Sequence, residues 1–159
     1  SMLSAHPDIV GYIDGGKMNG GFVASKMTLS PEGFTLEAYD NNGKNIFIGD
    51  NFIGNYNLTI LDVKEVYIGN DVMIGPNTTI TTVGHPINPN GRRKRLAQAS
   101  EIRIGNDVWI GANVCILPGV NIGNNVIIGA GAVVNRDIED NSMAVGVPAR
   151  IIKEIEKPI

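Results

Sequence analysis

The chain has 159 residues, a net charge of −3 and a pI near 5.3. With 43 % hydrophobic and 18 % charged residues it is too apolar for a disordered tail, and its acidic balance argues against a general nucleic-acid surface. No run approaches the ~18 apolar residues of a membrane span, and the single cysteine, Cys115, excludes an internal disulfide and fits a reducing, cytoplasmic setting.

The apolar set is lopsided, with 22 Ile and 14 Val against 7 Leu. Ile and Val are stiff at the first side-chain torsion and suit strands, so the composition predicts an all-β chain. Residues 1–44 read as a lead-in. Gly15-Gly16 and Gly20-Gly21 break any helix there, while Phe22, Val23, Phe34, Leu36 and Ile46 suggest strands entering the next segment.

From residue 45 to 139 a six-residue period takes over. A loose version runs through Ile48, Gly54 and Ile60, slips by two near Lys64 and Glu65, and resumes at Ile68, Ile74 and Ile80. A strict version opens at Ile104, Ile110, Ile116, Ile122, Ile128 and Val134, with Val108, Val114, Val120, Val126, Ala132 and Ile138 at the fifth place. Six matches neither the 3.6 of a helix nor the plain alternation of a two-faced sheet. It fits short strands separated by corners. The near copies IGNDVM at 68, IGNDVW at 104 and IGNNVI at 122 add a period of eighteen, three faces to a coil. The expectation is a parallel β-solenoid whose coils bury their aliphatic residues only by stacking.

One coil length, residues 86–103, lacks the inward ladder and reads as an extruded loop. It follows Gly84-His85-Pro86 and contains the basic run Arg92, Arg93, Lys94 and Arg95, which suits either a solvated loop or contact with an anionic ligand. Residues 140–159 form a tail, and Ala149–Lys157 has the character of a short C-terminal helix. The whole chain reads as a single domain.

The hexapeptide pattern resembles that of the hexapeptide-repeat acyltransferases, which implies a left-handed parallel β-helix. Asn55-Tyr56-Asn57-Leu58-Thr59-Ile60-Leu61-Asp62, Gly84-His85-Pro86, the repeat from Ile104 to Gly111, and Gly146-Val147-Pro148-Ala149-Arg150 together resemble the maltose, galactoside and nodulation-sugar O-acetyltransferases. That resemblance implies acetyl transfer from acetyl-coenzyme A to a sugar hydroxyl, without a metal, in a homotrimer. It implies His85 as the general base, with Asn55, Asp62 and Trp109 beside the acceptor. Ala112 and Ala130 match positions along the pantetheine arm, followed by Asn135 and Arg136, and Arg150 and Lys153 match cationic positions near the nucleotide. The lead-in departs from the family, which usually has a longer helical segment there.

The residue types suit that chemistry. A sugar hydroxyl is a poor nucleophile, and an imidazole, which ordinarily titrates near about 6.5, can take its proton at working pH. An amide such as that of Asn55 can donate either to the acceptor or to charge developing on the carbonyl oxygen, and the sequence does not choose between them. Arg offers a planar fork to phosphate. Cys115 stands at an outward repeat position with no base beside it in sequence, which disfavours a covalent thiol route. Two other functions fit the same scaffold: N- or O-acetylation of an amino sugar or antibiotic, and a non-catalytic solenoid. With only His6 and His85, one of them outside the repeat, a three-histidine metal centre is disfavoured.

Overall fold

In the computed structural model the described residues are 12–14, 17–19, 26–30, 33–37 and 45–159. From residue 45 the chain winds as a parallel β-solenoid with three flat faces. The first face stacks Ile46–Ile48, Val66–Ile68, Ile102–Ile104 and Asn121–Ile122. The second stacks Phe52–Gly54, Met73–Ile74, Val108–Ile110, Val126–Ile128 and Ser142–Val145. The third stacks Thr59–Leu61, Thr79–Thr81, Cys115–Ile116 and Val133–Val134.

The six-residue period is one strand plus one corner. Within a strand the residues alternate inward and outward, so Val108 and Ile110 are buried and Trp109 between them is exposed. Inward residues stack in register from coil to coil. One ladder runs Ile48, Ile68, Ile104, Ile122 and Ile138, another Ile74, Ile110, Ile128 and Ala144. Each fully buried aliphatic side chain stabilises the stack by roughly 1.5–3 kcal/mol. The first coil is two residues longer than the later repeat, because Ile48 pairs with Ile68 and Ile60 with Ile80. The extra residues lie between Leu61 and Val66, where the sequence slips.

Most corners carry a left-handed residue; Asn or Asp supplies it at 51, 57, 71, 77, 107, 113, 125 and 141, all with φ between +55° and +59°, and Gly at 119 and 131. Along one edge the corner amides also build a ladder. Asn106 Oδ1 accepts the Asn70 N–H at 2.8 Å, and Asn124 Oδ1 accepts the Asn106 N–H at 2.8 Å. A Cβ on Gly105 would lie 2.5 Å from Asn124 Oδ1 and 2.7 Å from the Gly123 carbonyl oxygen, so this close approach requires glycine.

The excursion differs from its expected bounds. Val83–Gly84 pairs antiparallel with Gln98–Ala99, closing the loop on itself, and Ile102 is already buried in the first face opposite Val66. Ile102 and Arg103 therefore belong to the coil, and the departure covers residues 85–101. The expected C-terminal helix is also corrected. The tail turns at Gly146, with φ +102°, and returns as the strand Arg150–Glu154, antiparallel to Ser142–Val145. That strand satisfies backbone groups that the last coil would leave open on the second face, and the β-branched Ile151 and Ile152 suit it. Among the described residues the sole helix is Pro89–Arg93, inside the excursion.

The opposite end of the second face is closed in the same manner. Tyr12–Asp14 and Lys17–Asn19 form a hairpin whose second strand pairs antiparallel with Phe52–Gly54. Lys26–Ser30 and Gly33–Glu37, which contain Phe34 and Leu36, form a second hairpin. Phe22, Val23 and His6 lie outside the described residues. Among the described residues no helix is long and apolar enough to cross a membrane.

Candidate active site

The residues singled out in the sequence fall on two edges of the prism. The edge between the second and third faces carries Asn55, Ala112 and Ala130. Asn55 donates its N–H to Ile74 O, Gly75 to Ile110 O and Gly111 to Ile128 O, at 2.9, 2.8 and 2.8 Å, so these are equivalent places in successive coils. Gly75 and Gly111 pack backbone against backbone, since a Cβ on them would lie 2.6 Å from Ala112 N and 2.7 Å from Ala130 N. Asn55 is the exception at this place. Its Oδ1 accepts the Tyr56 N–H at 2.7 Å, and no acceptor for its Nδ2 hydrogens stands among the described residues. An exposed amide donor thus sits at one end of an edge that continues through Gly75-Pro76, Gly111-Ala112 and Gly129-Ala130.

Trp109 stands next to that edge, 52 % exposed. It belongs to an outward apolar column on the second face, in register with Ile53, Met73, Ile127 and Met143. Lys153 pairs with Met143 across the terminal strand and ends the column with a cation. Of this column, the sequence motifs mark Trp109 alone. The column was legible as the large residue following Phe52, Val72, Val108 and Val126 in each repeat.

His85 belongs to the other edge, between the third and first faces. It leaves the coil directly after Gly84, and it is exposed. Its Nδ1–H donates to the Leu96 carbonyl at 2.8 Å. A carbonyl oxygen can only accept, so this bond selects the tautomer with the proton on Nδ1 and leaves Nε2 with its lone pair. The imidazole is thus set up to take a proton at Nε2. Nothing in the sequence marked Leu96, because the contribution is its backbone oxygen.

Asn135 and Arg136 follow the last strand of the third face on this same edge. Ala149 donates its N–H to Val133 O at 2.8 Å, which lays the segment after Gly146 beside that strand. Arg150 Nη1 then donates to Asn135 Oδ1 at 3.2 Å. Arg150 and Lys153 stand roughly 10 Å apart along their strand, at about 3.3 Å per residue. Within the basic run, Arg92 donates to the carbonyls of Pro86 and Ile87, and Arg93 Nη1 to Asn90 Oδ1 at 3.1 Å.

Asp62 is placed differently from an acceptor contact. It is 2 % exposed at the corner where the first coil is longest, and its Oδ2 accepts the Asn45 N–H at 3.1 Å while Asn45 Nδ2 donates to its carbonyl. Burial pushes its carboxyl from the usual 3.8 up to about 7, more than the backbone hydrogen bonds lower it. A raised carboxyl favours folding most when protonated. Stability from this group is therefore complete below about pH 4, falls as pH climbs toward 7, and is flat above. Asp62→Asn keeps an acceptor for Asn45 and does not titrate. In urea melts the variant should gain on the parent chain between pH 4.5 and pH 8; an unchanged gap would remove the assignment.

Cys115 is outward on the third face, level with Thr79 and Val133, and burial pushes its thiol up, which leaves less thiolate for nucleophilic attack. Among the described residues no three His, Cys, Asp or Glu side chains gather as a metal site would need.

Comparison with known proteins bears on the repeat and the fold. Residues 101–136 match the family described as bacterial transferase hexapeptide, six repeats. Galactoside O-acetyltransferase of Escherichia coli is 50 % identical over 117 residues, which cover 74 % of this chain and 58 % of that one. Among solved structures, a maltose O-acetyltransferase from Clostridium difficile superposes with a TM-score of 0.72 at 48 % identity, over 73 % of this chain and 62 % of that one. A hexapeptide-repeat acetyltransferase from Vibrio cholerae, complexed with acetyl-coenzyme A, gives 0.71 at 38 % identity, over 72 % and 63 %. The chain spans about 60 % of the length of these relatives.

Proposed function

We propose that the chain, which is similar to hexapeptide-repeat sugar O-acetyltransferases, moves acetyl from acetyl-coenzyme A to a hydroxyl of a sugar-like acceptor. The observation that carries the reading is the His85 ring, held by the Leu96 carbonyl with Nε2 left basic at the point where the repeat breaks. Acetyl-coenzyme A supplies an activated carbonyl and a thiol leaving group. His85 Nε2 accepts the acceptor hydroxyl proton as the oxygen attacks that carbonyl, and then returns a proton to the departing sulfur. The transfer is direct, and the protein ends as it began. The Asn55 amide suits the negative charge that develops on the carbonyl oxygen.

The residues fit the coenzyme. Gly111, Ala112, Gly129 and Ala130 leave the edge of the last coils low, so an extended neutral arm could lie close to backbone. Arg150, with Lys153 on the same strand and Asn135 and Arg136 beside it, offers cations at the last coil for the phosphates. Replacing Arg150 and Lys153 together with Ala should raise the dissociation constant for acetyl-coenzyme A by about tenfold or more at low salt. Turnover at saturating coenzyme should fall far less. Calorimetric titration at two ionic strengths checks this, and parent-like affinity would reduce both residues to surface charges.

A single chain does not complete the site. His85 and Asn55 lie on different edges with the third face between them, whereas a base and an oxyanion donor must meet around one carbonyl, each about 3 Å from the atom it serves. A second copy that sets its Asn55 edge against the His85 edge completes the arrangement, and a closed ring of three copies does so three times. Such a homotrimer also covers the column of Ile53, Met73 and Trp109. No metal takes part in this scheme, and the single cysteine suits a cytoplasmic enzyme.

The test is release of free thiol from acetyl-coenzyme A with a panel of galactosides, maltose, amino sugars and buffer alone. Acceptor-dependent release supports transfer, and the panel ranks O- against N-acetylation. Thiol release equal to buffer with every acceptor would favour the non-catalytic solenoid.

A further inference from the structure

We propose that Arg92 is a positioning residue for the imidazole of His85, acting through the loop that carries it. The inference rests on the reading of His85 as the base. The helix Pro89–Arg93 buries none of its residues, so no apolar core fixes the excursion and its shape depends on polar ties and close backbone packing. Three ties link the histidine to the rest of the loop. Its Nδ1–H donates to Leu96 O at 2.8 Å, and the Leu96 N–H donates to Gly91 O at 3.1 Å. Gly91 in turn lies against the ring of Pro86, so closely that a Cβ there would stand 2.9 Å from Pro86 Cβ and Cγ. Arg92 closes the circuit. Its guanidinium donates to the carbonyls of Pro86, at 3.1 Å, and Ile87, the two residues that follow His85.

The planar guanidinium suits this task because one nitrogen reaches two neighbouring carbonyls with charge-assisted bonds. With Arg92 in place, the segment leaving His85 and the segment returning through Leu96 are held at a fixed separation. Without it the Leu96 carbonyl drifts from Nδ1, the lock on the tautomer is lost, and part of the population carries its proton on Nε2, where it cannot act as the base. The other cations of the run differ: among the described residues the Arg93 side chain bonds only Asn90, and the side chains of Lys94 and Arg95 make no hydrogen bond or ion pair.

Arg92→Ala should lower turnover on the order of ten- to a hundredfold, the range expected when a reacting group is misplaced by about an ångström, and leave KM for acetyl-coenzyme A near the parent value. Arg92→Lys, which keeps the cation and a donor, should restore part of the loss, and Arg95→Ala should match the parent. Nitrogen-15 spectra of the His85 ring, assigned with a His6→Ala background, read the tautomer without any need for activity. The parent should show the proton on Nδ1, and Arg92→Ala a mixture. A parent-like tautomer in Arg92→Ala, or a loss confined to KM for the coenzyme, would overturn the positioning role. The two readings fail separately. A mixed tautomer in Arg92→Ala beside full turnover in His85→Ala would sink the base and keep the positioning. An unchanged tautomer beside an inactive His85→Ala would do the reverse.

Discussion

His85→Ala is expected to lose 10²–10⁴-fold in turnover, about 3–5 kcal/mol of barrier, which is the usual contribution of a positioned general base. The fold should not suffer. His85 is exposed, stands outside the inward ladders, and its ring bonds only the Leu96 carbonyl among the described residues. Sedimentation and coenzyme affinity should therefore match the parent chain, which separates loss of chemistry from loss of structure. No acetylated protein should accumulate when coenzyme is mixed without acceptor, since burial pushes the Cys115 thiol up and leaves less thiolate to attack the thioester. A His85→Ala chain with near-normal turnover would remove the mechanism while leaving the solenoid intact.

The repeat was readable because a solenoid writes its geometry into the sequence at fixed spacing. Ile104, Ile110 and Ile116 each had to face inward on a different face, and their period of six follows from three residues per strand and three per corner. Even the two-residue slip near Lys64 was visible, and it marks the corner where Asp62 is buried. The tail was misread for a related reason. Local propensity from Ala149 to Lys157 is compatible with helix, but the last coil leaves a strand edge with unpaired backbone groups, and pairing with Ser142–Val145 outweighs propensity. That edge exists only in three dimensions.

The same limit applies to the site. His85, Asn55, Arg150 and Trp109 stood out through their motifs, but no spacing reveals that Asn55 and His85 occupy different edges of one prism. The bond from His85 to Leu96 escaped notice because a backbone carbonyl has no residue signature, and Arg92 looked like one charge among four. What sets the base is a loop closed by its own backbone, and composition reports only that the loop is basic.

The largest expected loss of stability comes from the ladder rather than the site. Ile110→Ala should cost about 2–5 kcal/mol, the range for truncating a buried isoleucine whose surroundings collapse only partly. Ile110 is fully buried and lies between Ile74 below and Ile128 above, in the coil that follows the excursion. Its neighbours cannot move to fill the space. The Cβ atoms of one ladder are held at the strand spacing of about 4.8 Å, and the adjoining Gly111 already packs against the Ala130 backbone with no slack. In a solenoid each coil is stabilised mainly by the next, so a weak central coil uncouples the two ends and should broaden the urea transition as well as lower its midpoint. Ile152→Ala removes the same atoms from a residue that is 58 % exposed on the terminal strand, and should stay within about 0.5 kcal/mol of the parent. Equal losses at the two positions would mean that inward stacking, the basis of the six-residue period, is not what holds the coils together.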